Sequence, residues 1–135
     1  MNWFNKISQQ EFDSIKEYPL AGNVVNGLRV NQQIDNISSI SASFMQYEIL
    51  DGIREVSMSD FGSAKPHDNF YARNDIQRCQ ELAEEIKQSG EIMPLIVVMD
   101  ENGPYILEGG HRFVALYLLG ISSFPALIVL DKDSQ

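Results

Sequence analysis

The apolar positions of this chain change character along its length. Up to residue 43 they are scattered through a background rich in Asn, Gln and Ser, and from Phe44 onward they fall into regular runs. Ser8-Gln9-Gln10-Glu11 has the form of a capping box, and Phe12 and Ile15 follow at helical spacing, so a short helix ending before Pro19 is expected. Asn26-Gly27, between Val24-Val25 and Leu28–Val30, reads as a hairpin turn. Phe44–Leu50 and Ile53–Met58 read as two strands joined by a tight turn at Asp51-Gly52, with Met45, Tyr47 and Ile49 alternating with their neighbours. An irregular stretch from Phe61 to Ala72 contains Gly62, Pro66, His67 and Asp68. Asn74 or Asp75 then caps a helix in which Ile76, Cys79, Leu82, Ala83 and Ile86 share one face, and Gly90 stops it.

The last third has the strongest pattern. Pro94–Met99 reads as a buried strand, Asp100-Glu101-Asn102-Gly103 as a turn, and Tyr105–Leu107 as a second strand. After Glu108-Gly109-Gly110-His111-Arg112 comes an apolar helix, Phe113–Leu119, closed by Gly120, and then a last buried strand, Phe124–Leu130. Interleaved strands and helices of these lengths predict an α+β fold, a small mixed sheet with packed helices. The change in pattern divides the chain into an N-terminal extension, 1–43, and a domain over 44–135.

Composition narrows the function. At 135 residues, 44% apolar and 21% charged, the chain has the balance of one globular domain. Ten Lys and Arg against nineteen Asp and Glu give a net charge of −9, which argues against non-specific binding to a duplex phosphate backbone. A single cysteine excludes a disulfide framework and a multi-thiolate metal site within one chain. No signal-like segment follows the start, and no apolar run approaches the roughly 20 residues of a membrane span. A cytoplasmic protein without membrane contact is therefore expected.

The chemistry concentrates in Glu108-Gly109-Gly110-His111-Arg112. Paired glycines let the backbone turn sharply and leave no Cβ in the way of a ligand. The first N–H groups of the following helix lack intrahelical partners and carry positive partial charge, which suits phosphate. Arg112 offers a fork of donors for phosphate oxygens. His111, at the same helix start, is biased toward its neutral form and suited to donate or relay a proton. Glu108 is suited to hold Mg²⁺ against a phosphate or to act as a base. A Gly-Gly pair between strand and helix also serves as a bare turn, and spacing alone leaves both readings open.

The run Tyr105-Ile-Leu-Glu-Gly-Gly-His-Arg-Phe-Val-Ala-Leu, with Leu119-Gly120 and Phe124-Pro125-Ala126-Leu127-Ile128-Val129, resembles the ParB N-terminal/sulfiredoxin-like superfamily. So does Leu82-Ala83, Ile86, Ser89-Gly90 and Ile92-Met93-Pro94-Leu95-Ile96-Val97 upstream, and the likeness covers about 53–130. The resemblance implies a compact fold that binds nucleotide phosphates at the turn after the strand. Gly109, Gly110, His111 and Arg112 would bind phosphate, and Glu108 would be a metal or catalytic residue. In kinase-like relatives a carboxylate from an earlier part of the domain acts on the acceptor hydroxyl, which points to Glu55 or Asp60. Sulfiredoxins read Gly-Gly-Cys-His-Arg, whereas Gly110 precedes His111-Arg112 here, so sulfinic acid reduction is not expected. Chromosome-partition proteins carry an Arg-rich turn followed by a helix-turn-helix domain, whereas Arg112 is the one basic residue of this turn besides the histidine and the chain ends soon after. The Gly-Gly-His-Arg form most resembles stand-alone versions.

These observations converge on a nucleoside triphosphate ligand with Mg²⁺ as cofactor, and on phosphate hydrolysis or transfer. The alternatives are a metal-dependent nuclease using Glu108 and His111, and a non-catalytic interaction or inhibitor module with a protein partner. Cys79 is in phase with the core, and Glu81, Glu84 and Glu85 read as a solvated face. His67 reads as a surface residue or part of a lid. Tyr71, Arg73 and Arg78 would extend a phosphate or base pocket, or Arg78 would pair with an acid on its own helix. Trp3 and Phe4 suit an arm packed on a second subunit of a homodimer.

Overall fold

A computed structural model describes residues 18–61, 73–100 and 103–132, with the side chains of 73–75 left aside. The predicted helix after Ser8, together with Trp3 and Phe4, lies outside the described residues, as do His67, Asp68 and Tyr71. The elements are β1 (Val24–Val25), β2 (Leu28–Val30), α1 (Ser39–Ser43), β3 (Tyr47–Ile49), β4 (Arg54–Ser57), a 3-10 turn (Met58–Phe61), α2 (Arg73–Ser89), β5 (Glu91–Ile92), β6 (Leu95–Asp100), β7 (Gly103–Glu108), α3 (Gly110–Leu118) and β8 (Ser123–Asp131). This is an α+β arrangement.

The main sheet is built around β8 and β6, which run parallel with Leu95 opposite Ala126 and Met99 opposite Leu130. β7 pairs antiparallel on the outer edge of β6. Both central strands are nearly continuous apolar runs because both of their faces are covered. Leu95, Val97, Ala126, Ile128 and Leu130 meet Ala83 and Ile86 of α2 and Phe113 and Leu116 of α3. The alternate residues, Ile96, Val98, Leu127 and Val129, meet Ile40 of α1 with Ile34, Phe44 and Leu107 around it. Phe61, Phe113 and Phe124 close one end, the last two edge-on at 5.7 Å. Pro125, which has no N–H to donate, lies one residue before the pairing with β6 begins.

The turn at Asn26-Gly27 forms as expected. Val25 opposes Leu28, and φ is +50° at Asn26 and +80° at Gly27, the signature of a two-residue I′ turn. β2 then pairs in parallel with β5, Arg29 opposite Glu91 and Val30 opposite Ile92, which makes a second, three-stranded sheet. Residues 31–36 then lead from Asn31, whose N–H donates to the Ile92 carbonyl at 2.9 Å, to Asn36 beside Glu108 at the end of β7.

The expected hairpin at Asp51-Gly52 does not form. β3 and β4 lie one after the other along the same edge of β8, Tyr47–Ile49 opposite Val129–Asp131 and Arg54–Ser57 opposite Ser123–Ala126. The long buried edge of β8 outcompetes a local turn signal, because pairing there covers Val56 completely. Asp51-Gly52 becomes an outward corner, with Gly52 at φ +81° and Arg54 donating to the Asp51 carbonyl from Nε at 3.0 Å and Nη2 at 2.6 Å. The free edge of β4 is taken by Pro19–Ala21 through Glu55 N–H to the Pro19 carbonyl and Ala21 N–H to the Ile53 carbonyl, both 2.8 Å.

Tyr18 fastens this crossing segment. Its hydroxyl hydrogen-bonds Asp60, and its pKa is raised above the ordinary phenol value, first by burial and then by the charge and hydrogen bond of Asp60. A group whose pKa is higher folded than unfolded contributes stability below its unfolded value, about 10 for tyrosine, and loses it as pH rises above that. Tyr18 should therefore add a decline in stability above about pH 10 to a urea-denaturation series. In Tyr18→Phe that part of the decline should be absent.

Candidate functional site

Extra chain in β7 sets the site up. Ile96 opposes Glu108 while Val97 opposes Ile106, so Leu107 is a bulge that re-aims the strand just before the turn. Gly109 follows in the left-handed region at φ +98° as the N-cap of α3. No other residue fits there. A Cβ on Gly109 would stand 2.7 Å from Cγ of fully buried Leu95 and 3.2 Å from Arg112 Nη2. α3 begins at Gly110, three residues earlier than the apolar pattern indicated, because the polar first turn carries no periodic apolar signal. Gly110, His111 and Arg112 thus belong to the helix itself.

The first bond that closes a turn runs from Phe113 N–H to the Gly109 carbonyl at 2.8 Å, and the N-cap, being a glycine, has no side chain with which to cap the amides ahead of it. A cleft of about 420 Å³ lies in front, lined by Asn36, Leu82, Ile106, Glu108, Gly110 and His111 among others. The structure therefore brings Glu108, Gly109, Gly110, His111 and Arg112 together around one cavity. His111 is exposed and Glu108 half-buried, its Oε2 lying 3.4 Å from Asn36 Nδ2, which donates to it.

Arg112 has a further role that its position in the motif does not reveal. Its Nη1 donates to the carbonyls of Met93 at 2.8 Å and Pro94 at 2.9 Å, tying α3 to the connection between β5 and β6. Burial lowers its pKa, while the negative charges of Asp35 and Glu108 act in the opposite direction. The guanidinium is thus flanked by two carboxylates. It also forms a wall shared with a second cleft of about 420 Å³, whose lining includes Asn31, Asp35, Arg78, Glu85, Glu91 and Met93.

Glu55 is not brought to this cavity. It sits on β4, with β8 and β6 between it and β7, and accepts a hydrogen bond from Ser123 Oγ at 2.7 Å. Asp60 is engaged with Tyr18. Arg78 lines the second cleft and also lies 3.6 Å from Glu85 on its own helix. Glu81, Glu84 and Glu85 are exposed and Cys79 is wholly buried, as their helical phase indicated. Asp35 and Asn36 were not legible as site residues; the one local hint was an Asn-rich stretch, and Asn36 does adopt φ +55°. Among the described residues no group of three or more His, Cys, Asp and Glu gathers as a metal cage. Mg²⁺ needs less from the protein when phosphates supply ligands, so Glu108 at the rim fits that mode of binding.

With this geometry in place, comparison with known proteins settles the family. Residues 46–135 match the ParB N-terminal domain. The chain belongs to the ParB N-terminal domain family. It is also 41% identical over 61 residues to a nucleoid occlusion protein of Halalkalibacterium halodurans, a match covering 45% of this chain and 22% of that relative. The chain thus spans under a quarter of the relative's length. Among the described residues no helix is long and apolar enough to cross a membrane.

Two substitutions separate the structural demands of this ParB-like turn. Gly109→Ala should lower stability by about 1–3 kcal/mol, since it combines an unfavourable φ with a clash against a side chain that cannot move aside. Arg112→Ala should cost a similar amount, about 1–3 kcal/mol, by leaving the Met93 and Pro94 carbonyls without their donor. Chemical denaturation of both variants measures this, and Arg112→Lys should recover only part of the loss because an ammonium lacks the planar fork.

Proposed function

We infer that this ParB N-terminal domain binds a nucleoside triphosphate, with the phosphates against the first turn of α3, and that it hydrolyses or transfers a phosphoryl group there. The observation that carries this reading is the glycine-capped start of α3 at Gly109-Gly110 facing a cleft of about 420 Å³. The amides of Gly110 and His111 would receive the phosphate oxygens, and Gly109 would let the backbone approach them. His111, exposed at the rim, would donate to a phosphate oxygen or move a proton to the leaving group. Glu108 would hold Mg²⁺ against the phosphates. Arg112 is flanked by Asp35 and Glu108, so its charge is partly offset and its first service is to hold the turn in shape. A net charge of −9 also makes an unaccompanied tetra-anion a poor guest, so tight binding calls for the divalent cation.

The likeness to a nucleoid occlusion protein supports a role for the nucleotide-bound domain beside the nucleoid. The acidic balance argues that any contact with DNA is not made by generalised attraction of this domain to phosphate.

A thermal-shift panel of the four common ribonucleoside triphosphates, each with Mg²⁺ or EDTA, tests the reading. At least one should raise Tm with Mg²⁺, since ligand at about 100 times its Kd adds roughly 2.7 kcal/mol. Gly110→Asp should remove that shift while leaving Tm of the free protein equal or higher, because a carboxylate at the first turn of a helix stabilises it and occupies the amides. Release of phosphate that falls at least about 100-fold in His111→Ala would assign the proton role. If no triphosphate shifts Tm with Mg²⁺, the reading is wrong.

A further inference from the structure

The edges of the main sheet differ in how they are closed. β7, at one edge, carries Pro104, and the outer side of β4 is taken by Pro19–Ala21. β3 shares the β8 edge with β4, and among the described residues no strand lies outside it. Lys132 N–H donates to the Gln46 carbonyl at 3.1 Å and Leu50 N–H to the Ile128 carbonyl at 3.0 Å, so Gln46, Glu48 and Leu50 are the residues whose backbone groups face β8. Tyr47 and Ile49 alternate with them and turn their N–H and C=O groups outward, where among the described residues nothing pairs with them.

The side chains along this edge are apolar. Tyr47 and Ile49 share one face of the strand at 36% and 40% exposure, and Met45, two residues earlier, is 93% exposed. A cleft of about 480 Å³ lies beside them, between α1 and β3, with Ala42, Phe44, Met45 and Tyr47 in its lining. Glu48 is the one charged residue between Asp35 and Asp51, and its carboxylate lies 3.2 Å from the Lys132 ammonium. In a protein of net charge −9, this stretch therefore offers little to repel a second copy.

The strand is also complementary to itself. Met45-Gln46-Tyr47-Glu48-Ile49 alternates apolar and polar residues in the same order from either end. An antiparallel pair about a two-fold axis at Tyr47 sets Tyr47 opposite the partner's Tyr47, Met45 opposite the partner's Ile49, and Gln46 opposite the partner's Glu48. An axis at Glu48 would instead set one carboxylate against another.

We propose that β3 is an association edge for a second copy of this chain, the two strands pairing antiparallel about Tyr47 so that the two main sheets become one. The outward N–H and C=O of Tyr47 exchange hydrogen bonds with those of the partner's Tyr47, and each Ile49 is set against the cleft between α1 and β3 of the other copy. One short strand and its flanking side chains make a small interface, under about 1,200 Å², so the dimer is weak and depends on concentration. The turn at Glu108–Arg112 follows β7, at the other edge of the sheet, so this inference is independent of the nucleotide reading.

Sedimentation velocity of the full chain, from micromolar to millimolar concentration, should show a monomer–dimer equilibrium that strengthens as salt screens the repulsion between two acidic chains. Ile49→Lys should weaken it at least about ten-fold, since the change acts twice in a two-fold interface, and should keep the melting behaviour of the monomer because a lysine is tolerated on a sheet edge. Mild oxidation of Tyr47→Cys should give a disulfide-linked dimer, because directly opposed residues of a hydrogen-bonded pair stand about 5.5 Å apart at Cα. Glu48→Cys should not cross-link, and wholly buried Cys79 does not compete. Should Ile49→Lys fail to fold, the two cysteine variants decide. A chain that stays monomeric throughout and does not cross-link through Tyr47→Cys would overturn the proposal. So would a dimer that Ile49→Lys leaves intact, or cross-linking through Glu48→Cys in place of Tyr47→Cys.

Discussion

The parallel pairing of β6 with β8 is the constraint on which the other elements depend. Each strand buries alternate side chains in two separate cores, so neither can be shifted by one residue without exchanging the contents of both. That fixed register sets the height of β7 on its outer edge, and with it the point at which Glu108 leaves the sheet. It also holds Leu95 immobile under the turn, which is what confines position 109 to glycine. The geometry of the candidate site is therefore inherited from core packing several residues away, and α3 serves both as a lid on the core, through Phe113 and Leu116, and as the helix whose first turn lines the cleft.

The charge around Arg112 follows from the same packing. A guanidinium drawn under the turn to satisfy two backbone carbonyls is partly removed from water, a cost eased by Asp35 on one side and Glu108 on the other. The local side-chain charge is then no longer strongly positive, although the motif looks basic when written as a string. The positive potential that remains at this place is that of the backbone dipoles, whose orientation is set by the fold and does not change with pH.

Much of this was readable in the residues. Long, strongly patterned elements announced themselves: the face of α2 through Cys79, Ala83 and Ile86, the runs of β6 and β8, and the Asn26-Gly27 turn, whose positive φ angles few other residue pairs adopt. The turn at Glu108–Arg112 was legible because glycine pairs and a helix start combine a backbone requirement with a chemical one. What was hidden was non-local. Asp51-Gly52 carries a good hairpin signal, yet which strand Ile53–Met58 pairs with depends on the free edge of β8, some 70 residues later. The β2–β5 contact is a single two-residue parallel match with no periodicity to betray it, so Asp35 and Asn36 could not be seen as neighbours of Arg112 and Glu108. Glu55 illustrates the converse: its residue type suited catalysis, but its strand lies on the opposite side of the sheet, where it is a hydrogen-bond acceptor for Ser123.

The distribution of charge around Arg112 decides where so acidic a protein could admit an anion. Nineteen acids against ten bases would repel a triphosphate if the field were uniform. Fields near a protein surface are local, however, and fall off within about 8–10 Å at physiological ionic strength. Among the described residues Glu108 is the one carboxylate that lines the cleft at the start of α3, whereas Asp35, Glu85 and Glu91 line the second cleft on the other side of Arg112. Arg112 thus separates a cleft with one lining carboxylate from a cleft with three. A phosphate in the second cleft would be set against those three carboxylates, which makes the glycine turn the more favourable of the two places for negative charge.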